Sequence, residues 1–281
     1  LNQGQLAPET QHTINVLLSQ AETQACDSAA ETLANMTELW LNESQIEDVA
    51  PLASLTHLRE LYLGDNQITD VAPLASLTYL TMLGLSGNQI AEISPLASLP
   101  NLQWLHLGNN QIVDVTPLAD VGSLTWLLLS GNQIVDIAPL AQLSNLTSLD
   151  LDWNPVTDLS PLTSLNHLSK LSLNWTPLTD ITSLSTLTNL TELELYDSQV
   201  VDVTPLSNLT HLEWLYLSRN QITDVTPLAN LTNLIWLDLS FNQIENVGSL
   251  STAINLNILN LKGNPLGDRN CPVQPENICQ F

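Results

Sequence analysis

The chain has 281 residues, 44% of them hydrophobic, which is enough apolar material for a folded core and argues against disorder. It carries 29 Asp and Glu against five Lys and Arg, a formal net charge of −24, so it would repel nucleic-acid phosphates and anionic lipid surfaces and attract basic partners. No apolar run reaches the roughly 18 residues of a membrane-spanning helix, so neither nucleic-acid binding nor membrane insertion is expected.

Residues 1–35 are predicted to form a helical N-terminal cap. The stretch "PETQHTINVLLSQA" at residues 8–21 begins with a proline and places four apolar side chains on one helical face. These four are Ile14, Leu17, Leu18 and Ala21. The motif "SAAE" at residues 28–31 is typical of a capping box and predicts the start of a second short helix.

A repeat of 22 residues organises residues 36–266. With Met36 taken as slot 1, eleven units begin at residues 36, 58, 80, 102, 124, 146, 168, 190, 212, 234 and 256. Slots 4 and 6 are leucine in every unit, slot 9 is usually asparagine and slot 16 is mostly proline. We expect the asparagine to be buried and to bond backbone groups. The proline limits the second half of each unit to a turn or a short 3₁₀ segment.

Residues 267–281 abandon the repeat and are predicted to form a C-terminal cap, since a solenoid exposes its core at both ends unless capped. They contain Cys271 and Cys279, which could close a short loop by a disulfide, with Cys26 left over. A disulfide would favour a secreted, periplasmic or cell-surface location, with a cytoplasmic location as the alternative. Because the chain begins at Leu1 rather than methionine, removal of a signal peptide and trimming of the chain are both open.

The repeat pattern LxxLxLxxN is that of leucine-rich repeats. In its "NQITDVxPLAxLTxL" form it resembles the 22-residue repeats of the bacterial internalins and of the eukaryotic phosphatase-regulator type. The resemblance covers about residues 36–266, and the C-terminal tail resembles those of other bacterial secreted leucine-rich repeat domains. It implies an α/β solenoid, a right-handed horseshoe with a parallel sheet on its concave face and 3₁₀ segments on its convex face.

The chain carries no P-loop, nucleophile elbow, HExxH or paired CxxC motif, so we expect neither an enzyme nor a cofactor or metal site. Slot 13 is acidic in ten of the eleven units, and two interpretations are open for this row. The carboxylates could bind cations, or each could tie its own turn ahead of the proline segment. The second is favoured, because the same residue is standard in the repeats that the chain resembles.

The aromatic residues concentrate in a few slots. Since side chains alternate faces along a strand, slots 3, 5 and 7 should line the concave surface if slots 4 and 6 point into the core, with slot 8 at the rim. All seven tryptophans occupy slots 3, 5 or 8. Three tyrosines, one phenylalanine and one histidine join them in slots 5, 7 and 8. The predicted binding surface therefore includes Trp40, Tyr62, Trp104, His106, Trp126, Trp153, Trp175, Tyr196, Trp214, Tyr216, Trp236 and Phe241.

The middle of the repeat array is its most unusual region. There "DWNPVTD" and "NWTPLTD" place Trp153 and Trp175 in slot 8 of two neighbouring units. Two units that depart together suggest a specialised patch, and the polar residues predicted around it are Asp150, Asp152, Lys170, Asn174 and Glu194. A local packing adjustment is the alternative.

The sequence favours a non-enzymatic binding module that presents an acidic, aromatic concave face. Rigid aromatic side chains among polar groups are typical of protein-binding hot spots. A basic protein or peptide is the first choice of partner, because charge would steer it and aromatic rings would anchor it. Three alternatives stay open: a glycan ligand stacked on the indoles, a structural or adhesion spacer, and tryptophan pairs such as Trp104 with Trp126 that only stabilise the sheet. We expect a monomer.

Overall fold

A computed structural model of the protein describes residues 6–281, so residues 1–5 of the predicted N-terminal cap lie outside the described residues. The chain divides into two compact units, one ending at Ile134 and one spanning Val135–Phe281. None of the helices within residues 6–281 is both long enough and apolar enough to cross a membrane.

From residue 6 onward, two α-helices precede the repeats of the first unit, α1 (Pro8–Gln20) and α2 (Cys26–Leu33). Helix α1 begins at its proline, as predicted, and packs on the first repeat through Thr13, whose hydroxyl donates to the Asp48 carbonyl at 2.7 Å. The predicted capping box is wrong: α2 begins two residues before Ser28, which lies inside the helix. The earlier start places Asp27 in the first turn, where its charge complements the helix dipole.

The repeats of the first unit form a parallel sheet in chain order. Its strands are β1 (Glu38–Trp40), β2 (Glu60–Tyr62), β3 (Met82–Gly84), β4 (Trp104–His106) and β5 (Trp126–Leu128). Each strand pairs with the next in a register of one repeat, so that Leu39 lies opposite Leu61 and Leu105 opposite Leu127. The 3₁₀ helices of this unit are Ala50–Ser54, Ala72–Ser76, Ser94–Ser98 and Thr116–Asp120, each with its proline at the second position.

The second unit repeats this plan. Its parallel strands are β6 (Ser148–Asp150), β7 (Lys170–Ser172), β8 (Glu192–Glu194), β9 (Trp214–Tyr216), β10 (Trp236–Asp238), β11 (Ile258–Asn260) and β12 (Cys279–Gln280). Its 3₁₀ helices are Ala138–Gln142, Ser160–Ser164, Thr182–Thr186, Thr204–Leu206, Thr226–Asn230, Gly248–Thr252 and Glu276–Ile278. The predicted α/β solenoid of parallel strands and 3₁₀ segments is therefore confirmed.

The slot 9 asparagines join consecutive repeats from inside the core. Asn66 Nδ2 donates to the carbonyls of Leu41 and Leu63, each at 2.9 Å, and its Oδ1 accepts from the backbone N–H of Ile46 at 2.9 Å. The same pattern recurs at Asn88, Asn110, Asn132, Asn220, Asn242 and Asn264. Each buried amide thus satisfies backbone groups of its own repeat and of the repeat before it.

The slot 13 aspartates tie their own turns. Asp158 Oδ1 accepts a hydrogen bond from the backbone N–H of Ser160 at 2.8 Å, and Asn246 accepts the equivalent bond from Gly248 at the same distance. The arrangement recurs at Asp48, Asp70, Asp114, Asp136, Asp180, Asp202 and Asp224. These contacts support the turn interpretation over the cation row, because an amide performs the same task as the carboxylates.

The C-terminal segment closes the last repeat with a disulfide. Cys271 and Cys279 are bonded, with 5.7 Å between their Cα atoms, and Cys279 pairs with Leu259 in the register of β11 and β12. The predicted disulfide is therefore present. It does not include Cys26, which is exposed at the start of α2.

Candidate functional site

The strands divide their side chains between the core and one open face in each unit. The leucines of slots 4 and 6 are buried, with exposed fractions of 0–1%. Slots 3, 5 and 7 point to the opposite side, which we call the strand face. Four tryptophans in slots 3, 5 and 8 are exposed: Trp40 (54%), Trp126 (43%), Trp153 (57%) and Trp175 (39%). Apolar surface of this kind lies outside the core and calls for a reason other than packing.

An aromatic cluster lies on the strand face of the first unit. The rings of Trp40 and Tyr62 stack with centroids 3.8 Å apart, Tyr62 and Trp104 are tilted at 6.0 Å, and Trp104 meets His106 edge-on at 5.8 Å. Burial, followed by a 2.9 Å hydrogen bond to the Glu60 carboxylate, raises the pKa of Tyr62 to about 12. Burial also lowers the pKa of His106. The structure thus brings four of the predicted residues together.

The tryptophan pairs considered as sheet-stabilising stacks are in register but do not stack. Trp104 lies opposite Trp126, and Trp214 opposite Trp236. Trp104 instead turns toward Tyr62 and His106, and the Trp236 ring lies 6.2 Å from that of Tyr216. Within residues 6–281, the stacked pairs that contain tryptophan are Trp40 with Tyr62 and Trp153 with Trp175.

The second unit carries a row of aromatic side chains that follows slots 7 and 8, which we call the rim row. Trp153 and Trp175 stack with centroids 4.4 Å apart and an angle of 17° between their planes. Trp175 meets Tyr196 at 5.2 Å. The guanidinium carbon of Arg219 then lies 5.9 Å from the Tyr196 ring and 5.1 Å from the Phe241 ring. The row therefore runs without a break from Trp153 to Phe241.

The backbone of slot 8 is left-handed in every repeat. Trp153 and Trp175 have φ angles of 55° and 57°, whereas Gly87 and Gly131 occupy the same slot at 67°. A left-handed conformation costs a residue with a side chain about 1–2 kcal/mol, and bulky residues seldom adopt it. Glycine fills this slot in three of the eleven repeats, and the two tryptophans, like the side chains of six other repeats, hold the conformation against a local cost.

Polar side chains of slots 5 and 7 form a hydrogen-bond network below the rim row. Asn174 Nδ2 donates to Asp152 Oδ2 at 2.9 Å and to Glu194 Oε2 at 2.6 Å. Asp152 Oδ1 also accepts from the Ser172 hydroxyl at 2.6 Å and from the Asn174 backbone at 2.8 Å. Asn174 Oδ1 in turn accepts from the Tyr196 backbone N–H at 2.8 Å. The network fixes two carboxylates on the repeats that flank the repeat of Asn174.

The electrostatics of this region are dominated by carboxylates. Burial raises the pKa of Glu194, and the charges of Asp152 and Glu192 add to the effect against the opposing hydrogen bond from Asn174. Lys170 forms an ion pair with Glu192 at 2.9 Å. Asp150 accepts a 2.9 Å hydrogen bond from the Asp152 backbone and lines a cavity of about 280 Å³ with Lys170, Glu192 and Glu194.

Most predicted residues of the central patch therefore lie together, and sequence reasoning missed two participants. Ser172 bridges Asp152 toward Glu194, and Arg219 extends the rim row. Ser172 occupies slot 5 and Arg219 occupies slot 8, and both slots contain other predicted site residues. The repeat register could therefore have identified them. Among residues 6–281, no group of three or more His, Cys, Asp or Glu side chains is placed to hold a metal ion.

Comparison with known proteins identifies the repeat. A family model of two leucine-rich repeats matches residues 34–76, 80–120 and 123–164, and a second leucine-rich repeat model matches residues 189–244. No curated protein matches the chain at a significant level.

Solved structures are similar along most of the chain. An internalin of Listeria monocytogenes, InlF, is 30% identical with a TM-score of 0.77, covering 92% of this chain and 85% of its own. A second internalin of that bacterium, InlC2, is 32% identical with a TM-score of 0.52, covering 89% of this chain and 92% of its own. The ectodomain of the plant receptor kinase GASSHO1/SCHENGEN3 from Arabidopsis thaliana, in complex with CASPARIAN STRIP INTEGRITY FACTOR 2, is 26% identical with a TM-score of 0.68, covering 84% of this chain and 31% of its own.

Proposed function

We propose that this chain, which belongs to the internalin-like leucine-rich repeat family, binds a basic protein or peptide through the strand face and rim row of its second unit. The fold is a protein-interaction scaffold, and the GASSHO1/SCHENGEN3 ectodomain was solved in complex with CASPARIAN STRIP INTEGRITY FACTOR 2. The proposal adds to this the location of the surface and the charge of the partner.

The observation that carries the proposal is the stacked pair of Trp153 and Trp175. Both rings are exposed, and both residues hold left-handed backbone conformations that glycine would adopt without strain. Neither side chain belongs to the buried leucine core. Local strain retained next to polar groups points to function, and rigid exposed aromatics are typical anchors of protein interfaces.

The charge of the surroundings selects the class of partner. Asp152 and Glu194 lie next to the rim row, and the chain as a whole carries a net charge of −24. A field of this sign accelerates association with basic partners and slows it with acidic ones, and salt screens the effect. Binding should therefore weaken as ionic strength rises.

Several further properties belong to the same proposal. Leucine-rich repeat proteins are typically binding scaffolds, and we propose that this chain acts as a monomer without catalysis. An extracellular or cell-surface location is supported by the Cys271–Cys279 disulfide and by the similarity to internalins. We retain the predicted organisation of N-terminal cap (1–35), repeats (36–266) and C-terminal cap (267–281).

A glycan is the second candidate ligand, and the first unit favours it. The exposed Trp40 ring, backed by Tyr62 at 3.8 Å, presents an aromatic face of the kind on which sugar rings stack. Glu38 and Glu60 lie in register beside this pair and provide hydrogen-bond acceptors.

Tryptophan fluorescence distinguishes these ligands. The protein is titrated with a nine-residue Lys/Arg-rich peptide, an acidic peptide of equal length and an uncharged hexasaccharide, each at low and physiological salt. The proposal expects saturable binding of the basic peptide that weakens with salt, whereas salt-insensitive binding of the hexasaccharide would favour the glycan. No response to any ligand would favour a spacer.

A double variant assigns the surface. Trp153→Gly with Trp175→Gly removes both rings and leaves the residue that the same slot contains at Gly87 and Gly131. We expect this variant to fold and to lose at least tenfold in affinity for the basic peptide. Asn109→Gly, which makes the same kind of change in the first unit at φ 54°, is the control and should bind normally. Unchanged affinity in the double variant would contradict the proposed surface.

A further inference from the structure

A cavity of about 370 Å³ lies between the rim row and the strand face of the second unit. Four aromatic side chains line it, namely Trp153, Trp175, Tyr196 and Tyr216. Three carboxylates complete the lining, namely Asp152, Glu194 and Asp238. We call this cavity the rim pocket.

The carboxylates of the rim pocket differ in how many of their oxygens already accept hydrogen bonds from the protein. Asp152 is engaged at both oxygens by Ser172 and Asn174. Glu194 accepts at Oε2, and Asp238 accepts at Oδ1 from the backbone and hydroxyl of Ser240. In the described part of the chain, no donor contacts the second oxygen of either Glu194 or Asp238, so both can accept hydrogen bonds from a ligand.

The chain's own cations do not line the rim pocket. Lys170 is paired with Glu192 at 2.9 Å, and Arg219 lies over Tyr196 and Phe241. Burial is the largest effect that raises the pKa of Glu194, and neighbouring carboxylates raise it further. Burial likewise raises the pKa of the Tyr216 hydroxyl, and the charges of Glu192, Glu194 and Asp238 add to this. A ligand with positive charge would relieve this repulsion.

The aromatic walls favour a planar cation. A guanidinium stacks on aromatic faces and offers a rigid fork of N–H donors to carboxylates, whereas a lysine ammonium is compact and strongly hydrated. The protein shows this preference itself, since Arg219 holds its guanidinium 5.1 Å from the Phe241 ring and 5.9 Å from the Tyr196 ring. Tyr196, whose ring Arg219 contacts, also lines the rim pocket.

We propose that the rim pocket binds an arginine side chain of the partner, with the guanidinium among the aromatic walls and hydrogen-bonded to Glu194 and Asp238. The inference rests on the proposed function and deepens it, because it names the residue that a basic partner must present. Asp152 and Asn174 act as positioning residues, since they hold Glu194 in place through the network at 2.9 and 2.6 Å.

Small probes test the rim pocket without any peptide. N-acetyl-arginine amide, N-acetyl-lysine amide and N-acetyl-citrulline amide are titrated while the indole N–H signals are followed by NMR. We expect saturable shifts at Trp175 with arginine, at least fivefold weaker binding of lysine, and no saturation with citrulline, which keeps the shape but lacks the charge. Equal responses to arginine and citrulline, or no saturable response to arginine, would overturn the proposal.

A charge-matched pair of variants confirms the location. Glu194→Gln removes a pocket carboxylate and should weaken arginine amide binding at least fivefold. Asp197→Asn removes one charge from slot 8 of the same repeat, outside the rim pocket, and should leave binding within twofold. Circular dichroism checks that both variants are folded. Equal losses in the two variants would show that net charge, not the pocket, governs binding.

Peptides then separate this inference from the proposed function. An arginine-only and a lysine-only version of the basic nine-residue peptide are compared at two salt concentrations. Tighter binding of the arginine version supports both proposals. Equal, salt-sensitive binding of the two versions would overturn the arginine pocket and leave the basic-partner proposal standing. Binding of arginine amide without binding of either peptide would leave the pocket standing and overturn the basic-partner proposal.

Discussion

The side-chain amide of Asn174 lies 2.6 Å from Glu194 Oε2, and the same nitrogen lies 2.9 Å from Asp152 Oδ2. One neutral donor on the middle of three consecutive repeats thus separates carboxylates on the repeats before and after it. Burial is the main cause of the raised pKa of Glu194; the hydrogen bond from Asn174 opposes it, and the charges of Asp152 and Glu192 add to it. At neutral pH, Glu194 therefore carries its negative charge in a partly buried position that disfavours the charged form.

Glu194→Gln should therefore stabilise the protein at neutral pH. A pKa raised by folding means that Glu194 favours the folded state when protonated, and that this contribution is lost as the pH rises through the raised pKa. We expect the variant to unfold at higher urea concentration than the parent at pH 7. The gain should shrink as the pH falls below the pKa of Glu194. A gain that is absent, or independent of pH, would contradict this account; Asp197→Asn is the comparison.

Replacement of Trp153 should reveal the backbone strain of slot 8. Trp153→Gly relieves the left-handed conformation, whereas Trp153→Ala keeps a β-carbon at φ 55°. We expect the glycine variant to be more stable than the alanine variant by about 1 kcal/mol, as measured by urea unfolding. The opposite order is expected at an ordinary helical or strand position. Equal stability of the two variants would count against strain at this residue.

Asn110→Ala should destabilise the first unit strongly. The amide of Asn110 donates to the carbonyls of Leu85 and Leu107 and accepts from the Ile90 N–H, all at 2.9–3.0 Å. Its loss leaves buried backbone groups without partners, which costs about 2–4 kcal/mol in the free energy of unfolding. The control is Asn101→Ala, where an exposed amide makes a single 2.9 Å bond to Thr78 and the loss should stay below about 1 kcal/mol.

The slot 13 aspartates should make the fold sensitive to acid. Hydrogen bonds from the residue two positions on lower the pKa of Asp114, Asp158, Asp180, Asp202 and Asp224. Their contribution is present above the pKa of the unfolded chain and is lost as the pH falls through the lowered values. We measure the urea concentration at the midpoint of unfolding as a function of pH. Exchanging all five for Asn should reduce the fall of this midpoint at acid pH, which we call the acid limb.

Asn246 shows that the exchange is compatible with the turn, because it accepts the same 2.8 Å bond from Gly248. Glu92→Gln, in slot 13 of another repeat, is the control and should change the acid limb little. An acid limb that stays as steep after all five exchanges would mean that other carboxylates control acid unfolding.

The repeat made the fold predictable, because a strict period of 22 residues defines both the strand register and the core. Leu39 and Leu61, for example, pair as the alignment of slots requires. The same register predicted which aromatic residues are neighbours along the sheet. It could not predict ring contacts, because side-chain torsions let Trp104 turn away from its register partner Trp126 toward Tyr62.

Prediction was weakest where the repeat gives no register. Helix α2 starts at Cys26 after Ala25, which makes no side-chain capping bond, so a short polar motif does not locate its first residue. The rim pocket depends on Ser172 and Asn174, whose importance follows from hydrogen bonds that cross between repeats at spacings of 20 and 22 residues. The sequence of a single repeat contains only one member of each of these hydrogen-bonded pairs.

The constant offsets of the asparagine contacts bear on how such a chain changes its length. Asn66 accepts from a residue 20 positions earlier and donates to one 25 positions earlier, and Asn110 does the same. Removing or duplicating any whole unit of 22 residues preserves every one of these offsets, whereas any other insertion breaks them. Genetic duplication of entire units is therefore the route by which this scaffold can be extended, and each added copy arrives with slots 5, 7 and 8 free to acquire new side chains.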